Sequence, residues 1–401
     1  MASPHRIAPR SNLLIFFLLG LLSISLLTFP MENGITPDSL SYFSAAKNLV
    51  NKGFFGDNYL YWPPLYPMLL SLHFYAGLDI NTFASVLNKV LFVVMIAGLL
   101  SIGARQFSSK VLLVAVLTMA AFSEPFQLIF YYSWSETLYL PLCILTAHFW
   151  VIFLTGKNKN IYLVIACVLL ALSMLTRHVG ISLFGAMLLS LTASRNFQLR
   201  EKAKLASFII LATVPYALWL IRTWSISGHF SGPRRVSPPY SDFLYLTDNL
   251  DKVIAHWIVP HFRFELHGLV AAIITAVVLA VIAAFSFRQI HFRCSRKEPE
   301  DSSYKSHLQL FLLIYLFCYW SLVLIAGYTY ELDAPNNRIL SPSYWPLLIL
   351  LVSSFEYARN YLEVNGHKRS KRAIDYFGLA YAVMWISAPN VLTDLVIKCV
   401  V

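Results

Sequence analysis

An all-α, multi-pass membrane fold is predicted by three observations. The chain is 58% hydrophobic and only 13% charged, with a mean hydropathy of +0.62, a composition that belongs in a bilayer. Apolar runs long enough to cross about 30 Å of hydrocarbon, at about 1.5 Å per helical residue, recur along all 401 residues. No polar stretch is long enough to form a separate soluble domain, so residues 1–401 read as one transmembrane domain. Finally, the basic residues gather in alternate loops, as in helices that cross back and forth under the positive-inside rule.

Starting from the inside, the apolar runs predict about 11 transmembrane helices at residues 12–29, 88–104, 111–125, 136–154, 161–176, 179–194, 205–221, 268–287, 308–327, 339–355 and 374–393. The first run follows Arg6 and Arg10. No small-residue cleavage site follows it, so it reads as an anchor rather than a signal peptide. Residues 64–78 are apolar but short and interrupted by Pro67. If they crossed the membrane, the basic loops Arg195 to Lys204 and Arg288 to Lys305 would lie outside, against the charge rule. Residues 37–52 and 64–78 are therefore expected to be helices at the outer interface, with Tyr42, Trp62, Tyr66 and Tyr75 at headgroup depth. Two external loops remain, 30–87 and 222–267. The stretch 293–307 reads as a solvated linker.

The net charge of +11 would suit a nucleic-acid partner, but 20 of the 31 basic residues lie in the inside segments. The charge is a topology signal, and no nucleic-acid role is expected. Five scattered cysteines, Cys143, Cys167, Cys294, Cys318 and Cys399, form neither a disulfide framework nor a zinc pattern. His256, His261 and His267 stand at spacings of five and six without a nearby cysteine, so no metal site is expected there.

The chemistry-bearing residues concentrate outside. Thr36-Pro37-Asp38-Ser39 opens an amphipathic segment with Tyr42, Ala45, Ala46 and Leu49 at helical spacing, and Trp62-Pro63-Pro64-Leu65-Tyr66-Pro67 follows. Taken alone, Asp38 reads first as a helix cap, a role compatible with a carboxylate at the mouth of a cavity. The order and spacing of these pieces after the first span resemble the first external loop of the GT-C superfamily, in particular the protein O-mannosyltransferases and the aminoarabinose transferases of lipid A. Further along, Tyr131-Tyr132-Ser133-Trp134-Ser135-Glu136 is similar to the family's second external turn. Asn337-Arg338-Ile339-Leu340-Ser341-Pro342 is similar to its late Arg-Tyr-Leu-Leu-Pro pattern. The chain departs from the family at Ser39, where members often carry a second acid, and at Trp62, where aminoarabinose transferases have lysine.

This resemblance implies a GT-C-like fold. It also implies transfer of a sugar from a polyprenyl-phosphate donor to a hydroxyl on a lipid, glycan or protein acceptor, at the outer face of a bacterial inner membrane. Asp38 would be the general base. Arg338, Arg177 and Arg222 would contact the donor phosphate. Tyr42, Trp62, Tyr66, Glu136, Arg234 and Arg235 would contact substrate. No cofactor or catalytic metal is expected.

Each candidate also has a plainer reading. Arg177 ends a span only about 24 Å long, so it either snorkels to the headgroups or faces a cavity partner. Arg338 has Glu331 and Asp333 as sequence neighbours, and Glu136 would complement a helix dipole. The stretch containing Arg234 and Arg235 reads as a connecting loop or as a lid. Two functions of other classes remain beside the transferase, a lipid-linked saccharide transporter and a noncatalytic assembly protein.

Overall fold

The computed structural model describes residues 33–52, 62–156, 160–230, 243–258, 268–294, 300–329 and 335–386. The first predicted span, 12–29, and the loop carrying Arg234 and Arg235 lie outside these residues, as do Glu331, Asp333, His261 and His267. Within them the chain is helical, and its one bridge of β type joins Gly34 to Tyr132.

The stretch before the first long helix contributes α1 (Pro37–Lys52), α2 (Leu65–Ser71) and α3 (His73–Ala76). The crossing region begins with α4 (Ile80–Gln106), α5 (Lys110–Phe122), α6 (Glu124–Tyr131), α7 (Glu136–Thr155) and α8 (Asn160–Thr176). A short 3-10 turn (His178–Gly180) leads into α9 (Ile181–Ala193), α10 (Leu199–Leu211) and α11 (Val214–Ser227). The remainder is α12 (Phe243–Ile258), α13 (Gly268–Cys294), α14 (Glu300–Thr329), α15 (Asn337–Val364) and α16 (Lys368–Ile386). By length and composition four of these helices can each cross a membrane, and six spans result if each of the two bent pairs, α5 with α6 and α10 with α11, is one crossing.

Local chemistry sets the boundaries. α4 begins two turns before its apolar run because Asp79 caps it, accepting from the backbone N–H of Asn81 at 2.9 Å and of Thr82 at 3.4 Å; such a cap satisfies donors the helix cannot. The predicted span 111–125 bends by 44° at Ser123, where Glu124-Pro125 restarts the helix as α6. Proline suits a first turn, where its missing N–H has no partner to lose.

Two helices form the centre. In α7 and α15, 83% of the apolar stretch is buried, against 50% in α4 and 39% in α14. The turn between α4 and α5, the start of α14 and the end of α15 meet at one end of the assembly. There Glu356 accepts from the backbone N–H groups of Ser108 and Ser109, Arg359 pairs with Asp375, and Lys305 donates to Ser108. The N-termini of α7 and α15 lie at the opposite end, with the N-terminus of α1.

Candidate functional site

The opening of α1 settles the ambiguity of its three capping-type residues. Thr36 is the cap: its Oγ1 accepts from Ser39 N–H at 3.2 Å, and Ser39 Oγ in turn accepts from Thr36 N–H at 3.2 Å. Pro37 takes the first helical position and Asp38 the second. Because the cap is made by its neighbours, the Asp38 carboxylate reaches elsewhere. It accepts from Arg338 Nη1 at 2.5 Å.

Arg338 holds two carboxylates at once. Its Nε donates to Glu136 Oε1 at 2.7 Å, and its guanidinium lies 4.1 Å from the centre of the Trp134 ring. The other oxygen of Glu136 receives Arg177 Nη1 at 2.5 Å, and Arg177 also donates to Ser135 Oγ at 3.1 Å. Four charges thus form one run, Asp38, Arg338, Glu136 and Arg177, with a net charge of zero. Glu136 is enclosed, with 1% of its side chain exposed, whereas Asp38 and Arg338 each expose 19%. The Arg338 and Asp38 pair is therefore open to solvent, while Glu136 is the buried anchor.

The helix ends make this arrangement informative. Glu136 in the first turn of α7 complements the positive end of the helix dipole. Arg338 in the first turn of α15 opposes it, at a cost of about 0.3–1 kcal/mol. Two charge-assisted hydrogen bonds, worth about 1.5–3 kcal/mol each, outweigh that cost. A buried carboxylate held by two arginines also meets the condition under which buried ions persist, full pairing. Arg177 takes the partner-facing alternative open to it from the sequence. Arg338 pairs with carboxylates far away in sequence.

Around these charges the residues ahead of α1 are stitched to the turn between α6 and α7. Gly34 N–H donates to Tyr131 O at 3.0 Å, Asn33 Nδ2 to Ser133 Oγ at 3.1 Å, and Trp134 Nε1 to Thr36 Oγ1 at 2.8 Å. A Cβ at Gly34 would sit 2.5 Å from the Tyr132 ring and 2.6 Å from that of Tyr131, so only glycine permits this approach. From the other side, Asn88 Nδ2 donates to Phe130 O at 3.1 Å and to Tyr132 O at 2.9 Å.

The expected headgroup placement of Tyr42 and Tyr66 does not hold. Both are fully buried, while Tyr75 is 80% exposed. The reason is that Tyr42 has an inward partner: its hydroxyl shares a 2.9 Å hydrogen bond with Ser135 Oγ. Tyr66 packs edge-on to its ring at 5.1 Å, and the half-buried Trp62 lies 5.5 Å away on a tilt. Burial, with Glu136 nearby, pushes the Tyr42 phenol well above its usual range and keeps it neutral. These tyrosines brace Asp38's helix from within. Arg222 stands over Trp219 at 4.9 Å, and Trp219 packs with Ala45, Trp62 and Leu175.

Trp134 and Ser135 were read from the sequence only as part of the turn that ends at Glu136, not as site residues. Their signal was a serine and a tryptophan placed immediately before a charged residue that opens an apolar span.

Compared with known proteins, the chain matches no protein-family model, and no curated protein matches its sequence. Its structure is similar to the crystal structure of ArnT from Cupriavidus metallidurans in the apo state, with a TM-score of 0.57 and 12% identity over 87% of this chain and 60% of that one. It is also similar to the crystal structure of the same protein bound to undecaprenyl phosphate, with a TM-score of 0.55 and 12% identity over 97% of this chain and 74% of that one. The chain thus spans about three fifths of the apo ArnT chain. What it shares with ArnT is the fold, and the chain is a helical, multi-pass membrane protein.

Proposed function

We propose that this protein is a glycosyltransferase that moves a sugar from a polyprenyl-phosphate donor to an acceptor hydroxyl at the external face of the membrane, with Asp38 as general base. The observation that carries the reading is the contact of a part-exposed Asp38 with a part-exposed Arg338, at the outer ends of the two central helices. The ligand class draws support from the ArnT structure bound to undecaprenyl phosphate.

In this reading the acceptor hydroxyl loses its proton to Asp38 as its oxygen bonds to the anomeric carbon. The bond from that carbon to the phosphate oxygen breaks, and the polyprenyl phosphate leaves with the electron pair. Arg338 meets the growing charge on the phosphate with its planar fork of donors. Arg177 keeps Glu136 paired behind it. Arg222, Arg234 and Arg235 remain further phosphate or substrate contacts, and Trp62 a wall for the sugar. Binding and chemistry are linked through Arg338. In the free site its guanidinium is engaged by Asp38. A donor phosphate draws on the same guanidinium, so a seated donor releases the Asp38 carboxylate from that contact and leaves it to meet the acceptor hydroxyl.

The test uses purified protein in nanodiscs with a panel of undecaprenyl-phosphate-linked monosaccharides and a membrane-envelope extract as acceptor. Release of undecaprenyl phosphate together with a glycosylated acceptor is expected for one donor. Absence of release across the panel would remove the transferase reading.

A further inference from the structure

A second polar group lies on the neighbouring face of α15 and is not used by the reaction above. Glu124, the first residue of α6 after the 44° bend, meets partners on α12 and α15. Its Oε2 is 3.0 Å from His256 Nε2, and its Oε1 accepts from Asn337 Nδ2 at 3.3 Å. Asn337 Oδ1 accepts from Trp257 Nε1 at 3.0 Å. Since His256 and Trp257 are consecutive, the contacts close into a ring that ties α6, α12 and α15 together. The end of α12 is fixed twice more, by the Trp257 ring packed at 5.3 Å on Tyr344 and by Tyr381, which donates to Ile258 O at 2.6 Å.

Asn337 immediately precedes Arg338. Consecutive residues of an α-helix point about 100° apart around its axis. A side chain of Asn337 held toward α6 and α12 therefore sets where Arg338 leaves the helix, and that direction is toward Asp38 and Glu136. First turns are where helices fray, and this one must also hold an arginine against its dipole. Asn336 caps the turn through its Oδ1, which accepts from Ile339 N–H at 3.0 Å, but a cap leaves the rotation of the turn to other contacts.

We infer that Glu124, His256 and Trp257 are positioning residues, which act through Asn337 to aim Arg338 at the donor phosphate. The inference rests on the transferase reading above. It assigns α12, part of the second external loop, a share in donor binding without contact to the donor. Glu124 and His256 expose 33% and 25% of their side chains, and pairs open to solvent add little to stability. Their removal should therefore change aim more than folding.

The experiment measures binding of radiolabelled undecaprenyl phosphate to full-length protein in nanodiscs, with thermal midpoints recorded beside it. Trp257→Phe keeps the ring and removes only the N–H, and Glu124→Ala removes the carboxylate. Each is expected to weaken binding about tenfold with little change in midpoint. Glu124→Gln, which can still accept from Asn337 and meet His256, is expected to restore binding to within about threefold of wild type. Wild-type binding with both disruptive variants equally tight would overturn the inference and leave the transferase reading standing. Weaker binding matched by a falling midpoint, without rescue by Glu124→Gln, would make the ring structural and also overturn it. Failure of the wild type to bind undecaprenyl phosphate would overturn the transferase reading itself, and the inference with it.

Discussion

Arg338 and Asp38 stand 300 residues apart in sequence, and their side chains meet at 2.5 Å. The contact joins the first turn of α1 to the first turn of α15 and sets the base and the phosphate-binding cation of the proposed reaction side by side.

Arg338→Lys keeps the charge but not the fork, since one ammonium cannot reproduce the in-plane donors that hold Glu136 and Asp38 together. Losing one charge-assisted hydrogen bond to the donor phosphate, about 1.5–3 kcal/mol, should weaken undecaprenyl-phosphate binding by roughly 10- to 100-fold. Equilibrium binding in nanodiscs measures this, and unchanged affinity would reduce Arg338 to a structural link.

Asp38 competes with the phosphate for Arg338, so Asp38→Asn should bind undecaprenyl phosphate more tightly than wild type. Asparagine still accepts a hydrogen bond but carries no charge, which points to a gain of about three- to tenfold, or roughly 0.7–1.4 kcal/mol. Equal or weaker binding would show that donor and Asp38 do not share the guanidinium.

Glu136 is the buried partner of two arginines, and Glu136→Gln leaves both without their carboxylate. Breaking such a pair costs about 3–5 kcal/mol, so thermal unfolding in detergent should show a markedly lower midpoint. A midpoint equal to wild type would mean that the buried run of charges adds nothing to stability.

Gly34→Ala sets a methyl group against the rings of Tyr131 and Tyr132. Overpacking of this kind costs about 1–3 kcal/mol, and here it should also pull the first loop from the second external turn. Turnover and thermal midpoint should fall together. A variant matching wild type in both would show that the Gly34 to Tyr132 bridge is dispensable.

The sequence made the site's members legible one at a time, because each breaks a local expectation. Asp38, Glu136, Arg177 and Arg338 are charges at the edges of apolar runs, where a charge is costly unless paired. Their pairing was not legible. The neighbours offered to Arg338 by sequence were Glu331 and Asp333, whereas its carboxylates lie 202 and 300 residues away, and only the packing of α1, α7 and α15 brings them together. The role of Thr36 was hidden by three adjacent residues that all cap helices well. Helix existence followed from hydropathy. Helix ends did not, because Asp79 extends α4 beyond its apolar run and Glu124-Pro125 breaks what composition showed as one span. Tyr42 and Tyr66 look like interfacial aromatics in sequence, and only the partner serine on α7's leading turn shows why they are buried.

The central claim is that Asp38 takes the acceptor's proton. Asparagine at this position keeps the shape and cannot accept a proton at neutral pH, and the helix cap is unaffected because Thr36 and Ser39 make it. The direct measurement is single-turnover sugar transfer by wild-type and Asp38→Asn protein in nanodiscs, at saturating undecaprenyl-phosphate-linked donor. The account predicts a rate lower by about 10²- to 10⁴-fold, the range for loss of a general base, with donor binding retained. An Asp38→Asn protein that transfers sugar at the wild-type rate would contradict it.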